Sequence, residues 1–133
     1  AAAATLGVSL TRRGMARSVV FLTPRVGSGE SGGDWLAAAL GADSAALYMA
    51  AGAAPSIASA LLDAGKRADT PVALVESASL EGERSRFTTL GELRDSAPQA
   101  ARGPVMMLVG EVLRERAARE PDVRESLISL RTA

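Results

Sequence analysis

The chain has 133 residues, a length suited to one compact domain, and 47% of them are apolar, so a core is within reach. Lys plus Arg and Asp plus Glu both number 15, and this zero formal charge argues against nucleic acid or an anionic membrane as a partner gathered by bulk electrostatics. There is no Cys and no His, which excludes disulfides, thiolate metal sites, imidazole bases and His-based triads, and leaves any chemistry to carboxylates, hydroxyls, backbone groups or a cofactor.

The opening run of four alanines reads as helix interior. With no Met at position 1 and no charged-then-apolar leader, a fragment or a processed product is expected. The helix closes at Gly7, a C′ position. Residues 18–22 are β-branched and short, a strand that Pro24 ends. A polar, glycine-rich loop covers 27–33. Residues 34–40 are helical, with Ser31 or Asp34 as the cap and Gly41 as the stop. Residues 45–49 read as a buried strand. Pro55 then sits at a first helical position, Ile57, Leu61 and Leu62 recur at helical spacing, and Gly65 caps the end. The whole stretch 44–62 lacks charge, but Gly52, Pro55 and its Ala and Ser content argue against a membrane span of about 20 strongly apolar residues.

Residues 71–75 are the next strand, and 84–88 another, reached through the Glu81–Gly82 turn. The sequence TLGE at 89–92 is a capping box opening a short helix that Pro98 ends. Residues 105–109 form a continuous apolar run, expected of a central strand covered on both faces. Residues 111–119 read as a charged helix whose i,i+4 pairs, Glu115/Arg119 and Arg116/Glu120, mark a solvated face. A second capping box at 122–125 opens a last short helix with Val123, Leu127, Ile128 and Leu130 apolar. The alternation predicts an α/β fold: an open, largely parallel or mixed sheet of about five strands flanked by helices. Its main body is 1–120, with 121–133 a short helix or tail. With only Phe21, Trp35, Tyr48 and Phe87 aromatic, the core depends on small side chains and close helix–sheet approach.

Gly27, Gly29 and Gly32 satisfy G-x-G-x-x-G literally, after a strand and before a helix. Pro24 and Arg25 interrupt the tight turn, Glu30 would place a carboxylate at the pyrophosphate, and no acid follows the next strand to hold a ribose. A plain loop is the expectation.

Six stretches in order resemble the second half of the tetrapyrrole methylase family, and within it the uroporphyrinogen-III C-methyltransferases. GVSLTRR at 7–13 is similar to the family's G-I-P-L-T-H-R, ARSV at 16–19 to A-Q-S-V, and DW at 34–35 to its D-W before a helix. YMA at 48–50 is similar to Y-M-G, TPVALVE at 70–76 to T-P-V-A-V-V-E, and VGEV at 109–112 to V-G-E-V. The likeness covers about residues 1–116. TRRG with TPRVG also looks like the methyltransferase region of siroheme synthases.

The resemblance implies one lobe of a two-lobed, cytoplasmic, homodimeric α/β enzyme. Such an enzyme transfers methyl groups from S-adenosylmethionine, leaving S-adenosylhomocysteine, to C2 and C7 of uroporphyrinogen III to give precorrin-2. It further implies that Met49 contacts the cofactor, with Ala50 small enough for close approach, and that Ala78 and the backbone around Val105 and Met106 line the adenosine pocket. Apolar walls suit adenine and a sulfonium, which a lysine would repel. The family's first-half loops and its catalytic acid are absent here, so no catalytic residue and no metal ligand is assigned. The lobe is expected to be inactive alone and to need an N-terminal partner lobe.

Two departures matter. Arg12 replaces the family's His, and Ala50 its Gly. Arg12, Arg13 and Arg17 are candidates for binding substrate carboxylates by charge-assisted bonds, or are plain surface arginines. Glu76 either orients a ligand hydroxyl or caps the next turn. The competing reading from another class is a non-catalytic α/β binding or dimerisation module. A severed lobe would self-associate through exposed apolar surface, with Val123, Leu127, Ile128 and Leu130 as candidates.

Overall fold

The computed structural model of the chain describes residues 1–24, 33–48, 52–96 and 103–120. The first helix, α1 (Ala2–Leu6), ends as its sequence predicts. Gly7 takes φ 67° and ψ 33°, a left-handed conformation that a side chain resists, and the amides of Gly7 and Val8 donate to the carbonyls of Ala4 and Ala3. Then come β1 (Val19–Leu22), α2 (Gly33–Gly41), β2 (Ser44–Tyr48), α3 (Ala54–Asp63), β3 (Pro71–Glu76) and β4 (Arg84–Thr89). They are followed by α4 (Leu90–Arg94), β5 (Val105–Gly110), a 3-10 turn (Glu111–Leu113) and α5 (Arg114–Ala118). The glycine loop at 27–32, the division at residue 121 and the capping box and apolar residues Val123, Leu127, Ile128 and Leu130 lie outside the described residues.

The strands form one open, mixed sheet in the order β1-β2-β5-β3-β4. Strands β1 and β2 pair in parallel, and the other three pairs are antiparallel. The sheet is thus less parallel than strand–helix alternation suggests. Strands β3 and β4 are joined by a short turn instead of a helix, which makes them a hairpin. Strand β5 inserts between β2 and β3, antiparallel to both. Its apolar run is central, as expected, and its last four residues are buried.

Side chains alternate between the two faces of each strand. On one face Leu47, Val72, Met107 and Val109 pack against Ile57, Ala58 and Leu61 of α3 and Leu90 and Leu93 of α4, with Trp35 of α2 at the margin. The apolar residues of α3 recur one turn apart, so a single stripe of the helix meets the sheet. Burying Ile57 and Leu61 stabilises the fold by about 1.5–3 kcal/mol each. On the other face Ala46, Ala73, Val75 and Leu108 meet Ala2 and Leu6 of α1 and Val112 and Leu113 of the 3-10 turn. The small Ala46 and Ala73 let α1 lie close. Within the uncharged stretch 44–62 the described residues form β2 and most of α3, and among the described residues no helix is long and apolar enough to cross a membrane.

The capping box at α4 is built with one change. The Thr89 hydroxyl accepts from the Glu92 amide at 3.3 Å, while the Glu92 carboxylate accepts from the Thr88 hydroxyl at 3.1 Å. The charged C-terminal segment also differs from expectation. Its first turn is 3-10 and buries Val112 and Leu113, and Glu115 bonds Arg12, 103 residues away, in preference to Arg119.

Candidate functional site

Strand register brings three chain segments to one end of the sheet. Tyr48, the last residue of β2, lies opposite Met106 of β5, and Met106 lies opposite Val75 of β3 on its other side. Val105 in turn faces Glu76. Because β5 is antiparallel, its beginning sits between the carboxyl ends of β2 and β3. The strands that lead to Met49 and to Ala78 are therefore not direct neighbours; β5 separates them, two strand spacings of about 4.8 Å.

A cavity of about 190 Å³ opens at this end. Val75 and Met106 form its base, Val105 and Pro104 one side, and Ala78 the turn beyond β3. Ala1 and Ala2 close it from α1, and Tyr48 stands at the rim, 42% exposed. Phe21 of β1, 58% exposed, lies beside Tyr48 with ring centroids 6.4 Å apart. Among the described residues no charged side chain lines the cavity. The structure thus brings Ala78, Val105 and Met106 together, whereas Met49 and Ala50 lie outside the described residues. Nothing local in the sequence marks Tyr48, Val75 or the α1 wall as part of a cavity. Strand alternation does no more than put Tyr48 on the face of Ala46.

The turn carrying Ala78 is strained. Ser77 and Ser79 both have positive φ, 52° and 64°, each worth about 1–3 kcal/mol of strain for a residue with a side chain. Three hydrogen bonds hold it. The Ser77 amide donates to the Pro104 carbonyl at 2.8 Å, the Leu80 amide to the Ser77 carbonyl at 2.9 Å, and the Ser79 amide to Glu83 Oε1 at 2.8 Å. The same Glu83 oxygen accepts from the Thr5 hydroxyl at 2.8 Å. The Ser79 amide above all, and then Thr5, holds the Glu83 carboxyl below its ordinary pKa. Glu76 accepts from the Gly103 amide at 3.2 Å, so its carboxylate fastens the chain entering β5.

A second, more polar cleft of about 420 Å³ lies between residues 7–12 and α5. Arg12 lines it, paired with Glu115, whose carboxyl pKa is lowered chiefly by that hydrogen bond. Arg116 donates to the Leu6 carbonyl at 3.3 Å, pairs with Glu120 and lies 5.2 Å from the Phe87 ring centroid. It is thus a packed residue, beyond a solvated i,i+4 partner. Arg13 is exposed in the next turn. The exposed Arg17 is fixed through its backbone amide, which donates to Asp43 Oδ2 at 2.9 Å.

The family model described as Tetrapyrrole (Corrin/Porphyrin) Methylases matches residues 1–94. The chain belongs to the tetrapyrrole methylase family. This tetrapyrrole methylase chain is 34% identical over 116 residues to a uroporphyrinogen-III C-methyltransferase from Pseudomonas aeruginosa, covering 86% of this chain and 47% of the relative. It is 35% identical over 111 residues to a siroheme synthase from Zymomonas mobilis, covering 84% and 23%. A solved structure of uroporphyrin-III C-methyl transferase from Thermus thermophilus complexed with S-adenyl homocysteine superposes with a TM-score of 0.70 at 28% identity, over 84% of this chain and 51% of that one. A cobalt precorrin-4 methyltransferase shares the fold, with a TM-score of 0.67 at 23% identity over 84% and 48%. The tetrapyrrole methylase chain spans about half the length of the Pseudomonas relative and about a quarter of the siroheme synthase.

Proposed function

We propose that this chain is one lobe of an S-adenosylmethionine-dependent uroporphyrinogen-III C-methyltransferase. The lobe supplies part of the cofactor pocket and no catalytic residue. The observation that carries this reading is the register that places Ala78, Val105 and Met106 on one apolar cavity at the carboxyl ends of β2 and β3. Open α/β sheets bind ligands at the carboxyl ends of their strands. The residues present fit the cofactor's adenosine part. Apolar walls accept adenine, the small Ala78 lets main chain approach, and among the described residues no Lys or Arg lines the cavity to repel a sulfonium.

The bound cofactor would supply an electrophilic methyl group, and this lobe would hold it in line with a nucleophilic pyrrole carbon. Cofactor sites commonly enclose about 300–1,000 Å³. The cavity of about 190 Å³ is therefore suited to part of a ligand, and an N-terminal lobe would complete it. The exposed pair Phe21 and Tyr48, beside the cavity, supports burial against further protein, whether that lobe or the second subunit of a homodimer. The substrate would be uroporphyrinogen III, methylated at C2 and C7 to precorrin-2 in the cytoplasm. Arg12, beside Glu115, and Arg17, beside Asp43, lie with Arg13 at the amino end of β2, the opposite end of the sheet from the cavity, so they are not placed to meet the carboxylates of a substrate held there.

The test is calorimetric titration of S-adenosylhomocysteine into this chain and into the full-length protein that carries it, followed by assay of precorrin-2 formation. The expected result is tight binding and turnover by the full-length protein and no turnover by the 133-residue chain. Failure of the full-length protein to bind overturns the cofactor assignment. Precorrin-2 formation by the chain alone overturns its role as an incomplete lobe.

A further inference from the structure

The cavity at the sheet end has two walls from opposite parts of the chain, and one oxygen atom ties them together. Ala2 of α1 and the preceding Ala1 make the first wall, and Ala78 belongs to the second. Thr5 stands one helical turn beyond Ala2 on α1, and Ser79 directly follows Ala78. The Thr5 hydroxyl and the Ser79 amide both donate to Glu83 Oε1, each at 2.8 Å. Thr5 and Glu83 are 78 residues apart, so this contact exists only because the fold brings α1 over the β3–β4 turn.

Resting on the cofactor reading above, we infer that Glu83 is a positioning residue for that pocket: its Oε1 sets the gap between α1 and the Ser77–Ser79 turn.

Two features make the role specific. Ser77 and Ser79 occupy left-handed backbone that residues with side chains rarely adopt, so the turn relaxes unless something fixes it. Glu83 is also exposed, so truncating it opens no void in either core cluster. Its removal releases a wall while leaving the packing of the sheet in place. The lowered carboxyl pKa agrees with an oxygen that accepts two donors.

The experiment is S-adenosylhomocysteine titration of the full-length protein as wild type, Glu83→Ala, Glu83→Gln, Thr5→Val and Thr5→Ser, with thermal melts of each. The expected result is a Kd raised about fivefold in Glu83→Ala and in Thr5→Val, the scale of one lost hydrogen bond. Glu83→Gln and Thr5→Ser keep an acceptor and a hydroxyl and stay near wild type. In turnover assays KM for the methyl donor rises while kcat is retained, a split that general destabilisation does not produce. Should Glu83→Ala fail to fold, the Thr5 pair carries the same comparison. Wild-type binding with unchanged affinity in the folded Glu83→Ala or Thr5→Val protein overturns the positioning role alone. A loss in Glu83→Gln equal to that in Glu83→Ala also overturns it. No binding by wild type overturns the cofactor reading together with the role built on it.

Discussion

A Cβ placed on Gly103 would stand 2.1 Å from the hydroxyl oxygen of Ser77. The two residues lie where the chain entering β5 meets the turn leaving β3, and that turn carries Ala78 of the cavity. Gly103 also donates its amide to Glu76, so the close approach is held from both sides. Glycine is the residue that allows it.

Gly103→Ala should therefore push the Ser77 hydroxyl out of its present rotamer and destabilise the fold by about 1 kcal/mol. Ser77 has φ 52°, so Ser77→Gly removes both the clash partner and backbone strain. The double variant should recover most of the lost stability. A urea-unfolding double-mutant cycle checks this, and strictly additive losses would count against the contact.

Ala78→Trp should fill the cavity with little effect on stability, because the cavity is open to solvent and Ala78 is only half-buried. In the full-length protein, S-adenosylhomocysteine binding should weaken at least tenfold, about 1.4 kcal/mol. Unchanged affinity by calorimetry would place the cofactor elsewhere.

Asp43 links α2 to β1 by accepting from the Arg17 amide at 2.9 Å and the Ser18 hydroxyl at 3.3 Å, and it accordingly has a lowered pKa, chiefly through the Arg17 amide. A carboxyl with a depressed folded-state pKa stabilises the fold above its unfolded value of 3.8, and that contribution disappears as pH falls through the lower folded value. Stability should therefore decline below about pH 4. Asp43→Asn should make the decline shallower in thermal melts taken from pH 6 to pH 2.5, and an unaltered acid limb would contradict the linkage.

Thr89→Ala should cost about 1 kcal/mol, because the Glu92 amide at the start of α4 loses its acceptor. Thr89→Ser should restore most of it. Guanidinium unfolding of the three proteins provides the comparison.

Elements with local causes are legible in the residues alone. Gly7 stops α1, the periodic Ile57 and Leu61 define the buried stripe of α3, and the TLGE box starts α4. The uninterrupted apolar run of β5 announced a strand covered on both sides. Six short motifs in order pointed to the family, and the resemblance named Ala78, Val105 and Met106, which line one cavity. Strand direction was less legible, because the hydrophobic pattern of a strand reads the same from either end. Strand pairing in three dimensions sets β5 antiparallel between β2 and β3, and hence Tyr48, Met106 and Val75 in one row. Tertiary packing alone sets the contacts of Arg12 with Glu115 and of Thr5 with Glu83, 103 and 78 residues apart. Hydrogen bonds at such separations leave no periodic trace in the sequence, since their geometry exists only after α1 has packed on the sheet.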